Sequence, residues 1–261
     1  MAIPEISRRE IRGIVASFVD SYIAKLSAMS AQAPGPGGDA QGRLKPFHEA
    51  ILAGGLATAL GSERSFSTAL GKTFEAAARV IASTNSDEAR TQVRVSGTFS
   101  VSTLARIEEV RGTIERRGMA GGYATFVDQI AGGLGTRSVQ DSVVADLYVR
   151  RGDARWFIEM KSAKPNQSQC LDATVKLLKF HAMEGGPPRV HTFYAMPYNP
   201  YGTREAYNHP FALKLLDMRD EVLLGSEFWE FLGGPGTERE LLDIYAAVGQ
   251  VKSQAIVAAM D

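Results

Sequence analysis

The sequence predicts an α/β fold in which helices flank a mixed central β-sheet. Residues 143–150 and 155–160 are rich in β-forming side chains and are separated by a Gly-Asp turn, which predicts a β-hairpin. A helical pattern over residues 170–183 then leads into a third β-rich run over 190–196. A strand–helix–strand order places two parallel strands in one sheet, so the hairpin and the crossover together predict mixed pairing.

Composition bounds the class of protein. The 261 residues are 44% hydrophobic and 22% charged, as in ordinary globular domains. No run approaches the roughly 18 apolar residues of a membrane span, and the N-terminus lacks the apolar core of a secretory signal. We therefore expect a cytoplasmic protein with no membrane association. The single cysteine, Cys170, excludes an internal disulfide and a cysteine-rich zinc site.

The charge balance bears on nucleic-acid binding. The chain has 29 lysine and arginine residues and 29 aspartate and glutamate residues. A protein that coats nucleic acid without specificity is usually basic, so the balance weighs against that class. It leaves open a cleft in which basic residues gather on one face.

Amphipathic segments and β-rich runs follow one another along the chain, and no internal repeat is visible. A Ser7–Glu10 capping box begins the first of them. The predicted helices cover residues 7–30, 46–60 with a break at 54–55, a stretch through 71–81, 104–117, 170–183 and 238–246, and the predicted strands cover 93–101, 143–150, 155–160, 190–196 and 221–224. Loops are expected over residues 33–42 and 197–209, and over residues 118–135 around a short apolar piece.

The open end of the predicted hairpin gathers charged side chains. With its turn centred on Gly152 and Asp153, Asp146 falls opposite Glu159. Side chains alternate along a strand, so Glu159 and Lys161 share one face. Paired carboxylates suit Mg²⁺, and a lysine beside the metal can orient or deprotonate an attacking water. The constellation predicts a metal-dependent phosphodiesterase.

The alternative for these residues is a solvated ion pair on an edge strand. An aspartate followed after a dozen residues by Glu-x-Lys also occurs by chance. Two observations favour the catalytic interpretation. The run 156–160 is apolar on both sides of Glu159, and a buried strand rarely carries a charge without a use for it. Residues 164–167 are polar and turn-prone, as expected where a strand opens into a cleft.

The hairpin constellation resembles the PD-(D/E)xK nuclease superfamily, with Asp146, Glu159 and Lys161 at its three core positions. Ala145 stands where the name of the motif has proline. Further segments resemble the TdeIII/MjaII-type family of type II restriction endonucleases. They are residues 46–52, 63–71, 157–169, 198–202 and 221–234, which are spread over most of the chain from about residue 46 onward.

The resemblance implies a restriction-endonuclease-like core, and the pattern of elements along the chain predicts a single nuclease domain over residues 1–261. Residues 1–45 would form an N-terminal helix and a flexible Pro/Gly loop, and about 46–261 the catalytic core. The resemblance also implies a homodimer that cuts both strands of double-stranded DNA with Mg²⁺ at a short symmetric site, of a GGNCC-like kind. A two-fold symmetric site matches a two-fold symmetric protein. A cognate DNA methyltransferase is the expected genetic partner.

The resemblance implies a role for each residue: Asp146 and Glu159 are expected to hold Mg²⁺, with the backbone carbonyl of Met160 as a further ligand. Lys161 is expected to position the attacking water and to help neutralise charge on the phosphate.

A further acidic group is expected from a helix outside the hairpin. Glu75 lies on the helix predicted before the sheet, and Glu49 in the segment PFHEAIL is its rival. For Glu75 an ordinary solvated helix position is the alternative.

Polar residues after two of the strands are candidates for DNA contact. Amide side chains can pair with adenine, and lysine with guanine or phosphate. For Asn166 a helix N-cap is the favoured interpretation. The candidates are Lys164, Asn166, Gln167, Tyr198, Asn199 and Arg204.

Three functions remain open on the sequence. The first is a restriction endonuclease, and the second is a structure-specific repair or junction nuclease of the same superfamily. The third is a non-catalytic DNA-binding protein that keeps the fold, which the intact Asp146, Glu159 and Lys161 argue against.

Overall fold

The computed structural model describes residues 3–28, 45–52, 64–119, 121–131 and 136–258. They fall into two compact units, each described by itself below. The first unit is drawn from residues 1–84, 197–207 and 225–261, and the second from 85–196 and 208–224. The expectation of a single nuclease domain stays a prediction. The predicted loop 33–42 and the predicted helical residues 53–60 lie outside the described ranges.

The second unit contains a five-stranded sheet in the order β1-β2-β3-β4-β5. The strands are β1 (Glu88–Ser100), β2 (Ser138–Arg151), β3 (Ala154–Met160), β4 (Val190–Met196) and β5 (Val222–Leu224). β1, β2 and β3 pair antiparallel, whereas β4 is parallel to β3 and β5 is parallel to β4. The predicted mixed sheet flanked by helices is confirmed.

Among the described residues, helices precede, separate and follow these strands in the sequence. In chain order they are α1 (Glu5–Ala28), α2 (Pro46–Leu52), α3 (Arg64–Ala82), α4 (Val101–Arg117), α5 (Tyr123–Ala131), α6 (Gln167–Glu184), α7 (Pro210–Leu215), α8 (Ser226–Gly233) and α9 (Thr237–Ala258). None of the helices described combines the length and apolar character needed to cross a membrane.

Helix α6 is the crossover between the parallel strands β3 and β4. Asn166 caps its N-terminus: the Asn166 Oδ1 accepts from the Gln169 amide at 2.8 Å, and the Gln169 Oε1 accepts from the Asn166 amide at 2.9 Å. The ring of Phe180 stacks on that of Phe157 with centroids 4.7 Å apart. Because side chains alternate along β3, Glu159 points to the same face as Phe157, the face that α6 covers.

Several predicted element bounds were wrong, among them those of β2, which begins at Ser138, and of α9, which ends at Ala258. Helix α1 begins at Glu5, so Ser7 lies inside the first turn, is buried, and does not act as the N-cap. The strand predicted from residue 93 begins at Glu88. Where loops were expected over 118–135, α5 forms because its apolar side chains are buried on one face and its first amide, at Tyr123, donates to the Asp217 carboxylate at 2.8 Å.

A fully buried carboxyl group, that of Glu221, directly precedes β5 and contacts α6 in the second unit. It accepts hydrogen bonds from the Thr174 hydroxyl at 3.1 Å and from the Asp217 amide at 3.0 Å. Burial disfavours the charged form and raises the pKa of Glu221 to about 8. The folded protein therefore holds Glu221 largely protonated at neutral pH.

Glu221→Gln is expected to make stability less dependent on pH. The folded pKa of Glu221 is raised, so its contribution to the free energy of unfolding is full below the unfolded pKa of 4.5 and falls as the pH rises towards about 8. The slope is at most about 1.4 kcal/mol per pH unit. Glutamine keeps the shape without titrating. Urea unfolding of both proteins at several pH values measures the difference, and parallel stability curves would contradict this account.

Candidate active site

The hairpin β2–β3 sets the geometry of the site. Gly152 adopts a positive φ of 57° in its turn, a conformation that glycine allows without strain. The two strands pair from Arg151 opposite Ala154 to Leu147 opposite Ile158. The next opposed positions are those of Asp146 and Glu159, as the sequence predicts.

The Asp146 carboxylate is oriented by two donors. Its Oδ2 accepts a hydrogen bond from the backbone amide of Met160 at 2.8 Å. Its Oδ1 lies 3.3 Å from the side-chain Nε2 of Gln92 on β1. The side chain is 14% exposed, so the carboxylate is held in place while it stays accessible at its edge.

Glu159 is the most buried member of the cluster, with a side chain only 5% exposed. The Nζ of Lys161 lies 2.5 Å from its Oε1. The Nζ of Lys176, on α6, bonds its other oxygen, Oε2. Lys161 Nζ also lies 3.7 Å from Asp146 Oδ2. Two carboxylates and two ammonium groups therefore form one neutral cluster.

The donor set fits a divalent cation. The ammonium nitrogen of Lys161 lies close to both carboxylates. Positive charge is therefore stabilised at this position by two negative groups. Asp146 and Glu159 supply hard oxygen ligands. Across the ranges that the structure describes, no three His, Cys, Asp or Glu side chains are grouped closely enough to hold a metal. A metal here would depend on these two carboxylates, with backbone oxygen or water completing its ligands.

Comparison with known proteins identifies the family. The model of the HinfI type II restriction endonuclease family matches residues 8–249. The chain belongs to this family. The expectation of a type II restriction endonuclease is thereby confirmed, and DNA follows as the class of substrate. The narrower resemblance to the TdeIII/MjaII-type group is not confirmed.

Relatives of this HinfI-family chain include restriction enzymes of Herpetosiphon aurantiacus. The type II restriction enzyme HgiCII is 35% identical over 244 residues, which cover 91% of this chain and 85% of the relative. The type II restriction enzyme HgiBI is 33% identical and HgiEI 32% identical, each over 98% of both chains. No solved structure gives a significant match.

The additional acidic candidates belong to the first unit. Glu75 is partly exposed on α3, and Glu49 is exposed on α2. The participation of either residue in the site of the second unit stays a prediction.

The DNA-contact candidates of the second unit lie where the chain passes from β3 into α6. Asn166 is the N-cap of α6, as favoured on the sequence, and its side chain is engaged there. Gln167 is exposed, with its Nε2 3.3 Å from Glu115 Oε1. Lys164 is half-buried. Contact of these residues with DNA stays a prediction.

The DNA-contact candidates of the first unit have partners within that unit. Asn199 closes a turn, donating to the Thr203 carbonyl at 2.7 Å. The Tyr198 ring packs near Phe74, and burial raises the pKa of Tyr198. Arg204 is paired with the Glu227 carboxylate, which raises the pKa of the Arg204 guanidinium. A role in DNA binding would require Arg204 to exchange this partner for phosphate.

Sequence reasoning missed two residues of the cluster, Lys176 and Gln92. Lys176 is one polar position on a helix, and only the docking of α6 brings it to Glu159. Gln92 has a positive φ of 54°, and it is skipped in the β1–β2 ladder where it would face Asp146. A left-handed conformation is uncommon outside glycine and is found at functional sites more often than elsewhere. No local pattern in the sequence marks either residue.

Proposed function

We propose that this restriction endonuclease uses Mg²⁺ to hydrolyse one phosphodiester in each strand of DNA at a short symmetric site. The observation that carries the proposal is the pair of carboxylates, Asp146 and Glu159, brought together at the open end of the hairpin with Lys161 between them. The two carboxylates would repel each other without positive charge between them, and the ammonium of Lys161 supplies that charge in the structure.

The chain's own residues take the following roles. Asp146 and Glu159 would hold Mg²⁺, with the backbone carbonyl of Met160 as a further ligand. The ion, when bound, polarises the scissile phosphate and lowers the pKa of a coordinated water. Lys161 positions the attacking water and offsets the charge that develops on the phosphate. Asp146 keeps its orientation through the Met160 amide.

Cleavage of both strands is best served by a homodimer. One centre acts on one phosphodiester at a time, so two copies related by a two-fold axis bring one centre to each strand of a symmetric site.

We propose a GGNCC-like site, as in the TdeIII/MjaII-type resemblance, and a chain that acts as one nuclease domain. A cognate DNA methyltransferase would protect host sites in the cytoplasm, where we place the protein.

Base readers and phosphate contacts are proposed among the polar residues that follow the strands. Three of them follow Lys161 closely in the sequence, after the end of β3: Lys164, Asn166 and Gln167. Tyr198, Asn199 and Arg204 follow β4. Glu75, or Glu49 in its place, is proposed as the additional acidic group of the site.

Sequencing the DNA ends tests this function. Unmethylated phage DNA is digested with purified protein and Mg²⁺, and the fragment ends are sequenced. We expect every end to fall at the same short sequence with two-fold symmetry, cut at equivalent positions in both strands. Ends without a common sequence, or ends gathered at branched or damaged structures, would instead indicate a structure-specific nuclease of the superfamily.

A further inference from the structure

Helix α6 brings a second ammonium group to the buried carboxylate of Glu159. Lys176 Nζ bonds Glu159 Oε2, while Lys161 Nζ lies 2.5 Å from Oε1. Both oxygens of Glu159 are therefore occupied by lysine. The Lys176 side chain is 23% exposed, so its ammonium group lies at the boundary between the buried carboxylate and solvent.

An ion pair of this kind is weak evidence for a purely structural role. Burying two charges costs desolvation free energy that their attraction only partly repays. A glutamate that binds a metal also needs its oxygens for that metal. Under the proposed function, therefore, at least one lysine must release Glu159 when a divalent cation binds.

The charge balance favours a released lysine that stays at the site. Asp146, Glu159, Lys161 and Lys176 sum to zero in the structure. A divalent cation adds two positive charges, and the phosphates of one DNA strand carry one negative charge each. The cluster with cation therefore matches the scissile phosphate and its neighbour, whereas a site without Lys176 would have one positive charge fewer.

We propose that Lys176 is a second basic catalytic residue. It neutralises Glu159 while the site is free of metal, and it transfers to a non-bridging oxygen of the scissile phosphate when cation and DNA bind. The inference rests on the proposed function. In this proposal α6 does more than connect β3 to β4, because it also carries a catalytic side chain.

The same helix offers a matched control. Lys179 lies one turn beyond Lys176, and its Nζ is 2.9 Å from Asp141 Oδ2. It has a similar exposure, 21%, and a carboxylate partner outside the cluster. Removing either ammonium changes the net charge of the protein equally, so a difference between the two variants reflects position.

Two measurements on Lys176→Met test the proposal. Without DNA, titration with Mn²⁺ is expected to show tighter binding than in the wild type, by about tenfold, because the competing ammonium is gone. At saturating Mg²⁺, single-turnover cleavage is expected to be slower by about 100-fold, because one donor to the charged phosphate is lost. Lys176→Arg is expected to restore most of the rate, and Lys179→Met to behave as wild type in both measurements.

A wild-type cleavage rate for Lys176→Met at saturating Mg²⁺ would overturn the proposal and leave Lys176 as a counterion. Unchanged or weaker Mn²⁺ binding would overturn the exchange of partners. Melting temperatures verify folding, and Lys176→Gln, which keeps a donor for Glu159, replaces the methionine variant if that variant is unfolded. Failure of the wild type to cut DNA would refute the proposed function itself, and the Mn²⁺ titration would then decide the contact with Glu159 alone.

Discussion

Glu159→Gln is expected to lower the single-turnover rate of DNA cleavage by about 10³-fold or more, since metal coordination contributes several kcal/mol of transition-state stabilisation. Glutamine has almost the same shape as glutamate, but its neutral amide is a poorer ligand. It also offers only one acceptor oxygen where Lys161 and Lys176 now contact two. The rate is measured with enzyme in excess over a plasmid that carries one site.

Glu221→Gln is the matched control for this result. It replaces another buried glutamate of the same unit, one whose pKa of about 8 keeps it largely neutral at pH 7. We expect it to cleave at the wild-type rate. A Glu159→Gln protein that melts like the wild type and still cleaves within a few-fold of it would refute the role of Glu159.

Trp229→Ala is expected to lower the free energy of unfolding by about 3–5 kcal/mol, the usual cost of removing a buried aromatic side chain. Trp229 is 0% exposed in the first unit. Its ring lies among aromatic neighbours, with centroids 4.8 Å from Phe228 and 6.1 Å from Phe47. Its Nε1 also donates to the Pro197 carbonyl at 2.7 Å. Truncation therefore leaves a cavity and an acceptor without its donor.

Trp229→Phe separates these two contributions. Phenylalanine keeps most of the apolar contact but cannot donate to Pro197, so we expect a smaller loss of about 1–3 kcal/mol, the cost of an unsatisfied buried group. Urea denaturation measures both variants. An alanine variant within 1 kcal/mol of the wild type, on the scale of surface substitutions, would contradict the tight packing of this core.

The central pair of the site could be predicted because its geometry is local. A two-residue turn at Gly152 and the alternation of side chains determine that Asp146 faces Glu159, and neither depends on the rest of the chain. The parallel pairing of β3 and β4 followed for a similar reason, since a strand, helix and strand in sequence leave few topologies.

The remainder of the site depends on tertiary packing. Lys176 reaches Glu159 only because α6 docks on the face of β3 that carries Glu159. Gln92 faces Asp146 only because β1, which is distant from Asp146 in the sequence, pairs with β2 in this register. Two of the DNA-contact candidates also have side-chain partners within the protein. Asn199 closes a turn and Arg204 pairs with Glu227, contacts that sequence patterns do not reveal.

The dependence of plasmid cleavage on divalent metal tests the central claim most directly. Wild-type protein is incubated with plasmid in Mg²⁺ and in EDTA, and Asp146→Ala is incubated in Mg²⁺. We expect discrete linear product only from the wild type in Mg²⁺, because in the proposed function Asp146 and Glu159 hold the cation. Cleavage by the wild type that persists in EDTA, or full cleavage by a folded Asp146→Ala protein, would contradict the account.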